Sequence, residues 1–97
     1  MESADSQVDC IELVLVGMRW FLKIAGVERG IEKAWWFDVE RIGMMFYYRR
    51  DEGAQFRIIG AWTDSDGGTF DEYAFAEPFA SRLLQFFNLK NAKEMLQ

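Results

Sequence analysis

An α+β fold follows from three features of this sequence. Apolar residues recur at helical spacing across 7–28, aromatic and β-branched runs broken by glycine begin at Ala34, and a proline-led apolar segment lies near the C-terminus. The expected order is an N-terminal amphipathic helix, an antiparallel meander of three to four strands, and a C-terminal helix packed on the sheet. All 97 residues are read as one domain, 1–97, with 1–6 as a flexible lead.

Each element has a local reason. Across 7–28, Val8, Ile11, Val14, Leu15, Met18, Phe21, Leu22 and Ala25 recur at i, i+3, i+4 and i+7, so a helix would gather them on one face. Ser6 and Asp9 resemble a capping box with Asp in place of Glu or Gln, and Gly30 after Arg29 suits a helix stop. A strand through IELVLV is the rival reading of the same residues. Beyond it, AWWFDV, IGMMFYYRR and AQFRIIGAWT carry side chains that pack well on a pleated surface.

The turns are marked as clearly. DEG at 51–53 supplies a three-residue hairpin loop with Gly53 suited to a left-handed position, and DSDGG at 64–68 supplies the next turn. TFDEYAF reads as a fourth strand, with Phe70, Glu72 and Ala74 on one face and Asp71, Tyr73 and Phe75 on the other. The alternative there is a helix capped by Thr69. Pro78 opens a helix whose apolar face is Phe79, Leu83, Phe86 and Phe87. Asn88 ends or kinks it before LKNAKEMLQ, where Leu89, Ala92 and Leu96 can continue the spacing.

Composition narrows the function classes. With 51% hydrophobic and 16% aromatic residues, the chain can bury a core and is not of the disordered class. A single cysteine permits no internal disulfide and points to a reducing, cytoplasmic setting, with Cys10 read as a small buried hydrophobe. The acidic start lacks the basic region of a signal peptide. The most apolar run, Cys10 to Leu22, contains Glu12 and Arg19 and is too short to span a bilayer, so no membrane partner is expected. Histidine is absent, which removes the commonest general base and metal ligand. The expectation is a protein that is not an enzyme and takes no cofactor or metal.

The net charge of −5 is concentrated. Between Arg57 and Arg82 lie Asp64, Asp66, Asp71, Glu72 and Glu77 and no base, while the rest of the chain balances eleven acids against eleven bases. A calcium loop beginning at Asp64 fails on spacing, because its fifth and twelfth positions would be Gly68 and Phe75. The carboxylate pairs Asp71–Glu72 and Asp51–Glu52 would be split between the faces of a strand and would not converge on a substrate. The same alternation divides the doublets Trp35–Trp36 and Tyr47–Tyr48, leaving one ring of the Trp pair in the core.

Two readings of the acids remain: solvated charge that aids solubility, or a docking surface. Unbalanced charge reaches over about a Debye length, ~8 Å at physiological salt, and steers cationic partners. The acids that fit a docking role are Asp64, Asp66, Asp71, Glu72 and Glu77. Asp38 and Glu40 are added from an earlier strand, with Arg41 beside them. Direct nucleic-acid binding is disfavoured, since it needs a basic footprint.

The acidic string TDSDGGTFDEYAFAE in a small, histidine-free chain resembles the DNA-mimicking anti-CRISPR proteins of phages and mobile elements. The likeness is one of size and charge profile. It implies a non-enzymatic inhibitor in the host-cell cytoplasm, acting on a basic nucleic-acid-binding protein or complex, with the type I-F surveillance complex as the first expectation. Acids would then stand in for phosphates. Acidic immunity proteins that neutralise nuclease toxins are similar in profile and form the alternative.

Overall fold

A computed structural model describes residues 5–87. It is a mainly-β structure, which corrects the α+β expectation. Five strands run in order as an antiparallel meander: β1 (Gln7–Val16), β2 (Arg19–Glu28), β3 (Ile31–Arg50), β4 (Gly53–Asp64) and β5 (Thr69–Ala76). One short helix, α1 (Phe79–Phe86), follows. Residues 88–97, where a continued apolar spacing was expected, lie outside the described residues, as do 1–4.

The N-terminal helix expected over 7–28 is the hairpin of β1 and β2. As a helix, this segment would hold Gly17 and Gly26 in its interior, each at a cost of about 0.5–1 kcal/mol relative to Ala. As a hairpin it uses both glycines. Gly17 adopts φ 64 at the first central position of the two-residue turn, the place where a type II′ turn requires glycine. At Gly26 a Cβ would sit 2.2 Å from the Gln7 carbonyl oxygen and 2.9 Å from the Phe79 ring. Leu22, Ile24 and Gly26 are buried on alternate positions, a period of two that the helical reading overlooks.

The proposed caps are reassigned with the helix. Arg29 (φ 53) and Gly30 (φ 80) form the β2–β3 turn, both with positive φ as a type I′ turn demands. Ser6 Oγ accepts the Arg29 amide proton at 3.1 Å, so this serine braces a turn. The β3–β4 turn is two residues, Asp51 and Glu52, with Gly53 (φ 131) opening β4. Gly67 (φ 88) lies in the β4–β5 turn, where DSDGG predicts one.

The sheet bends because its ladders slip. Register shifts fall between Val8 and Cys10 in β1, between Phe37 and Met44 in β3, and between Ile59 and Trp62 in β4. Such bulges kink a strand and increase its twist. Gly60 sits where β3 presses in: a Cβ there would be 2.7 Å from Ile42 Cα and 2.8 Å from the Arg41 oxygen. The curved sheet lets α1 pack on β4 and on both edge strands, β1 and β5.

The core lies between α1 and the face of the sheet it covers, here the inner face. Leu22, Ile24, Trp35, Phe37, Phe56, Ile58, Trp62 and Phe75 come from the strands, and Phe79, Ala80 and Leu83 from the helix. Trp35 is the hub, with ring centroids 4.9 Å from Phe75 and 5.3 Å from Phe79 and Tyr73. Burying Phe79 and Leu83 contributes roughly 1.5–3 kcal/mol apiece. Trp36, on the outer face, packs edge-on against Phe21 beneath Lys23, so the Trp doublet divides as alternation requires. Cys10 is only half-buried and pairs across with Ala25, opposite in register to an outer-face site, rather than entering the core.

Candidate partner-binding surface

The acidic segment spans the β4–β5 turn, the edge strand β5 and the start of α1. Asp64 closes the turn: its Oδ1 accepts the amide protons of Asp66 at 3.0 Å and Gly68 at 2.8 Å. This local bonding gives the aspartate a structural duty. Asp66 is exposed at the tip, and Asp71 is exposed on β5.

The bulge in β4 changes which β5 side chains share a face. Phe70 is opposite Trp62 and stacks on it at 4.4 Å, so it covers the inner-face indole while its own ring stays 43% exposed. The expected grouping of Phe70 with Glu72 and Ala74 does not hold. Glu72 pairs with Ile59 on the outer face, where Arg57 Nη1 lies 3.4 Å from its Oε1. The Trp62 indole N–H donates to the Glu72 carbonyl at 2.8 Å and pins the shifted strand.

Glu77 accepts the Ser81 amide proton at 2.9 Å and the Ser81 hydroxyl proton at 2.6 Å. A carboxylate at this position also suits the positive end of the helix. Asp38 and Glu40 sit in the β3 bulge and are compensated. Asp38 is bonded to Arg19, lies 3.8 Å from Arg41 and accepts the Glu40 amide proton at 3.1 Å; Glu40 lies 3.6 Å from Arg19. The hydrogen bond from Arg19 holds the Asp38 carboxyl below its ordinary value, and Asp38 in turn raises Arg19.

The seven residues therefore do not form one uniform surface. Asp64, Asp66, Asp71 and Glu77 have no cation of the described residues within ion-pair distance, Glu72 has one, and Asp38 and Glu40 share two. Amide and hydroxyl donors orient a carboxylate without cancelling its charge. A cleft of about 220 Å³ opens beside the β4–β5 turn, with Trp35, Trp62 and Tyr73 as its floor and Glu32, Lys33, Asp64 and Asp66 among its rim. Lys33 is bonded to Glu28 at 2.8 Å, and the Tyr73 hydroxyl donates to the same Glu28 oxygen at 2.7 Å. Burial, followed by this bond to a carboxylate, pushes the Tyr73 hydroxyl well above its ordinary value, so it remains a donor that ties β5 to the β2–β3 turn.

A second surface escapes the helical reading altogether. At the far end of the β1–β2 hairpin, Leu13, Leu15, Val16 and Trp20 are each about half exposed and Met18 is 94% exposed. The signal for a strand here was the short apolar run IELVLV with β-branched Ile11, Val14 and Val16, while its exposure on both faces follows from the place of β1 at the sheet edge. Among the described residues, no group of three or more His, Cys, Asp or Glu side chains is placed to hold a metal ion, and no helix is long and apolar enough to cross a membrane. No family model matches the chain, and no curated protein or solved structure matches it.

Proposed function

We propose that this protein is a non-enzymatic inhibitor that docks its acidic β5 edge onto a basic, nucleic-acid-binding surface of another protein. One observation carries the reading. The turn and edge strand from Asp64 to Glu77 contain five carboxylates and no base, and only Glu72 is within reach of a described cation. An edge strand presents its side chains and free backbone groups to a partner without rearrangement. The uncompensated field raises the rate of encounter with a cationic groove and makes binding sensitive to salt.

The acids act as phosphate surrogates in this reading. Same-face carboxylates on a strand are ~6.7 Å apart, against a phosphate every ~3.4 Å along each DNA strand. A strand alone supplies half the density, so the turn and the helix start contribute the remainder. The charge profile supports the DNA-mimicking anti-CRISPR mode, with a type I-F surveillance complex as its specific form. An immunity protein against a nuclease toxin would use the same electrostatics.

Affinity capture from native host extract, at low and high salt and with duplex DNA as competitor, tests the proposal. The bait is compared with the variant Asp66→Asn, Asp71→Asn, Glu72→Gln, which spares the turn-closing Asp64 and the helix-capping Glu77. Capture of a nucleic-acid-binding protein that DNA displaces and the variant loses is the expected result. Equal capture by the variant, or indifference to DNA, overturns it. A multi-subunit nucleic-acid complex as prey selects the first form, and a single nuclease the second.

A further inference from the structure

We propose that the protein forms a two-fold symmetric dimer by antiparallel pairing of β1 with β1 of a second copy, centred on Val14. The inference uses the sheet edge opposite the acidic one. Among the described residues, β1 pairs with β2 alone, so its other side offers unpaired backbone donors and acceptors. Natural edge strands are blunted by charge, proline or brevity. β1 is ten residues long, and from Leu13 to Met18 it and its turn contain no charged residue and no proline.

Both faces of this edge are apolar. Leu13 and Leu15 lie opposite Leu22 and Trp20, which places them on the inner face beyond the part that α1 covers. Val14 and Val16 lie opposite Phe21 and Arg19 on the outer face. A new strand laid against β1 would thus cover half-exposed leucines on one side and valines on the other.

The strand is self-complementary. Pairing about Val14 sets Leu13 against the second copy's Leu15, Val14 against its own symmetry mate, and Glu12 against Val16. Every pair keeps its face, as a ladder requires. The two Glu12 carboxylates are held roughly 13 Å apart along the strand, and Glu12 already has Lys23 at 4.0 Å in its own chain. The β5 acids lie on the opposite edge of each copy, so the dimer does not bring the two net charges of −5 together at the interface. The uncharged stretch from Leu13 to Met18 selects no charged partner, and an isologous contact needs only a second copy.

Sedimentation equilibrium over a dilution series is the test, with charge placed in the register. Leu13→Lys with Leu15→Lys sets like charges opposite one another twice per dimer. The dissociation constant should rise roughly tenfold or more. Leu13→Glu with Leu15→Lys sets opposite charges in the same positions and should return it close to the original value. These side chains are half exposed, so the urea midpoint, read at a protein concentration where every form is monomeric, should stay constant across the set. On the unaltered protein, the alternate amides of 12–16 that point away from β2 should lose hydrogen-exchange protection on dilution. A monomer at all concentrations, a dimer indifferent to both double variants, or protection of those amides in a monomer each overturns the proposal.

Discussion

The two edges of the sheet solve the same problem in opposite ways. β1 and β5 both end the hydrogen-bond ladder, and α1 packs against both. β5 carries Asp71 and Glu72 and is flanked by Asp66 and Glu77, so a strand approaching it meets charge that must be desolvated. β1 carries Leu13, Val14, Leu15 and Val16 in succession and meets an approaching strand with apolar surface on both faces. In the proposed readings, edge chemistry separates two kinds of recognition: β5 would meet a cationic partner that brings compensation, and β1 a second copy that brings more backbone.

Removing the element that both edges share should have the largest effect. Phe79→Ala deletes a fully buried ring that touches Trp35 and Phe75 and lies against Gly26. A loss of about 3–5 kcal/mol is expected, read from the urea midpoint at constant m. A loss below about 1 kcal/mol, the range of a surface change, would mean that the helix does not hold the two edges.

Neutralising the β5 edge should instead leave stability alone. Asp66→Asn with Asp71→Asn removes two exposed carboxylates without a cation partner among the described residues, and the expected stability change is within about 0.5 kcal/mol. The effect belongs to association: the rate constant for a basic partner should fall by roughly tenfold at low salt, and its salt dependence should flatten. Stopped-flow binding at two ionic strengths distinguishes this from a change confined to dissociation.

Within the same edge, Asp64 contrasts with Asp66. Asp64→Ala strips the acceptor of two turn amides and should cost about 1 kcal/mol, whereas Asp64→Asn retains an acceptor oxygen and should cost a fraction of that. Equal losses in both would assign the role of Asp64 to charge rather than to hydrogen bonding, and thermal melting measures the difference.

The smallest effect concerns acid pH. Asp38 titrates below its ordinary 3.8 when folded, so the unfolded chain takes up the proton first as pH falls. The Asp38 contribution is present above 3.8 and is lost as pH drops through the folded value. Asp38→Asn should flatten the stability profile below pH ~4 and leave the neutral region little changed, because Arg19 is exposed and its pairing is screened. An unchanged acid limb would place the acid sensitivity in another carboxylate.

Much of the C-terminal half is legible in the sequence because its signals are local. Turn glycines, proline before a helix and adjacent aromatics of opposite facing need no knowledge of distant residues. The division of Trp35 from Trp36 follows from strand geometry alone. Residues 7–28 are ambiguous for a definite reason: Val14, Leu15, Met18, Phe21 and Leu22 satisfy helical spacing, while Leu13, Leu15 and then Leu22, Ile24 satisfy alternation. Only a neighbour resolves it. Phe79 and the Gln7 carbonyl close on Gly26, and Trp35 and Phe37 stand opposite Ile24 and Leu22, which a helix could not offer them.

By itself the sequence determined the last two turns of the meander, at 51–53 and 64–68, the C-terminal helix, the aromatic content of the core and the concentration of charge between Asp64 and Glu77, since each rests on residue identity or on neighbours a few positions apart. Tertiary structure alone decided that 7–28 is a hairpin, that Phe70 turns inward onto Trp62, and which acids are spent on Arg19, Arg41 and Arg57. Those outcomes depend on bulges and on pairings between residues far apart in the chain. A one-residue slip in a ladder exchanges the faces of every side chain beyond it, and no local pattern records where the slip occurs.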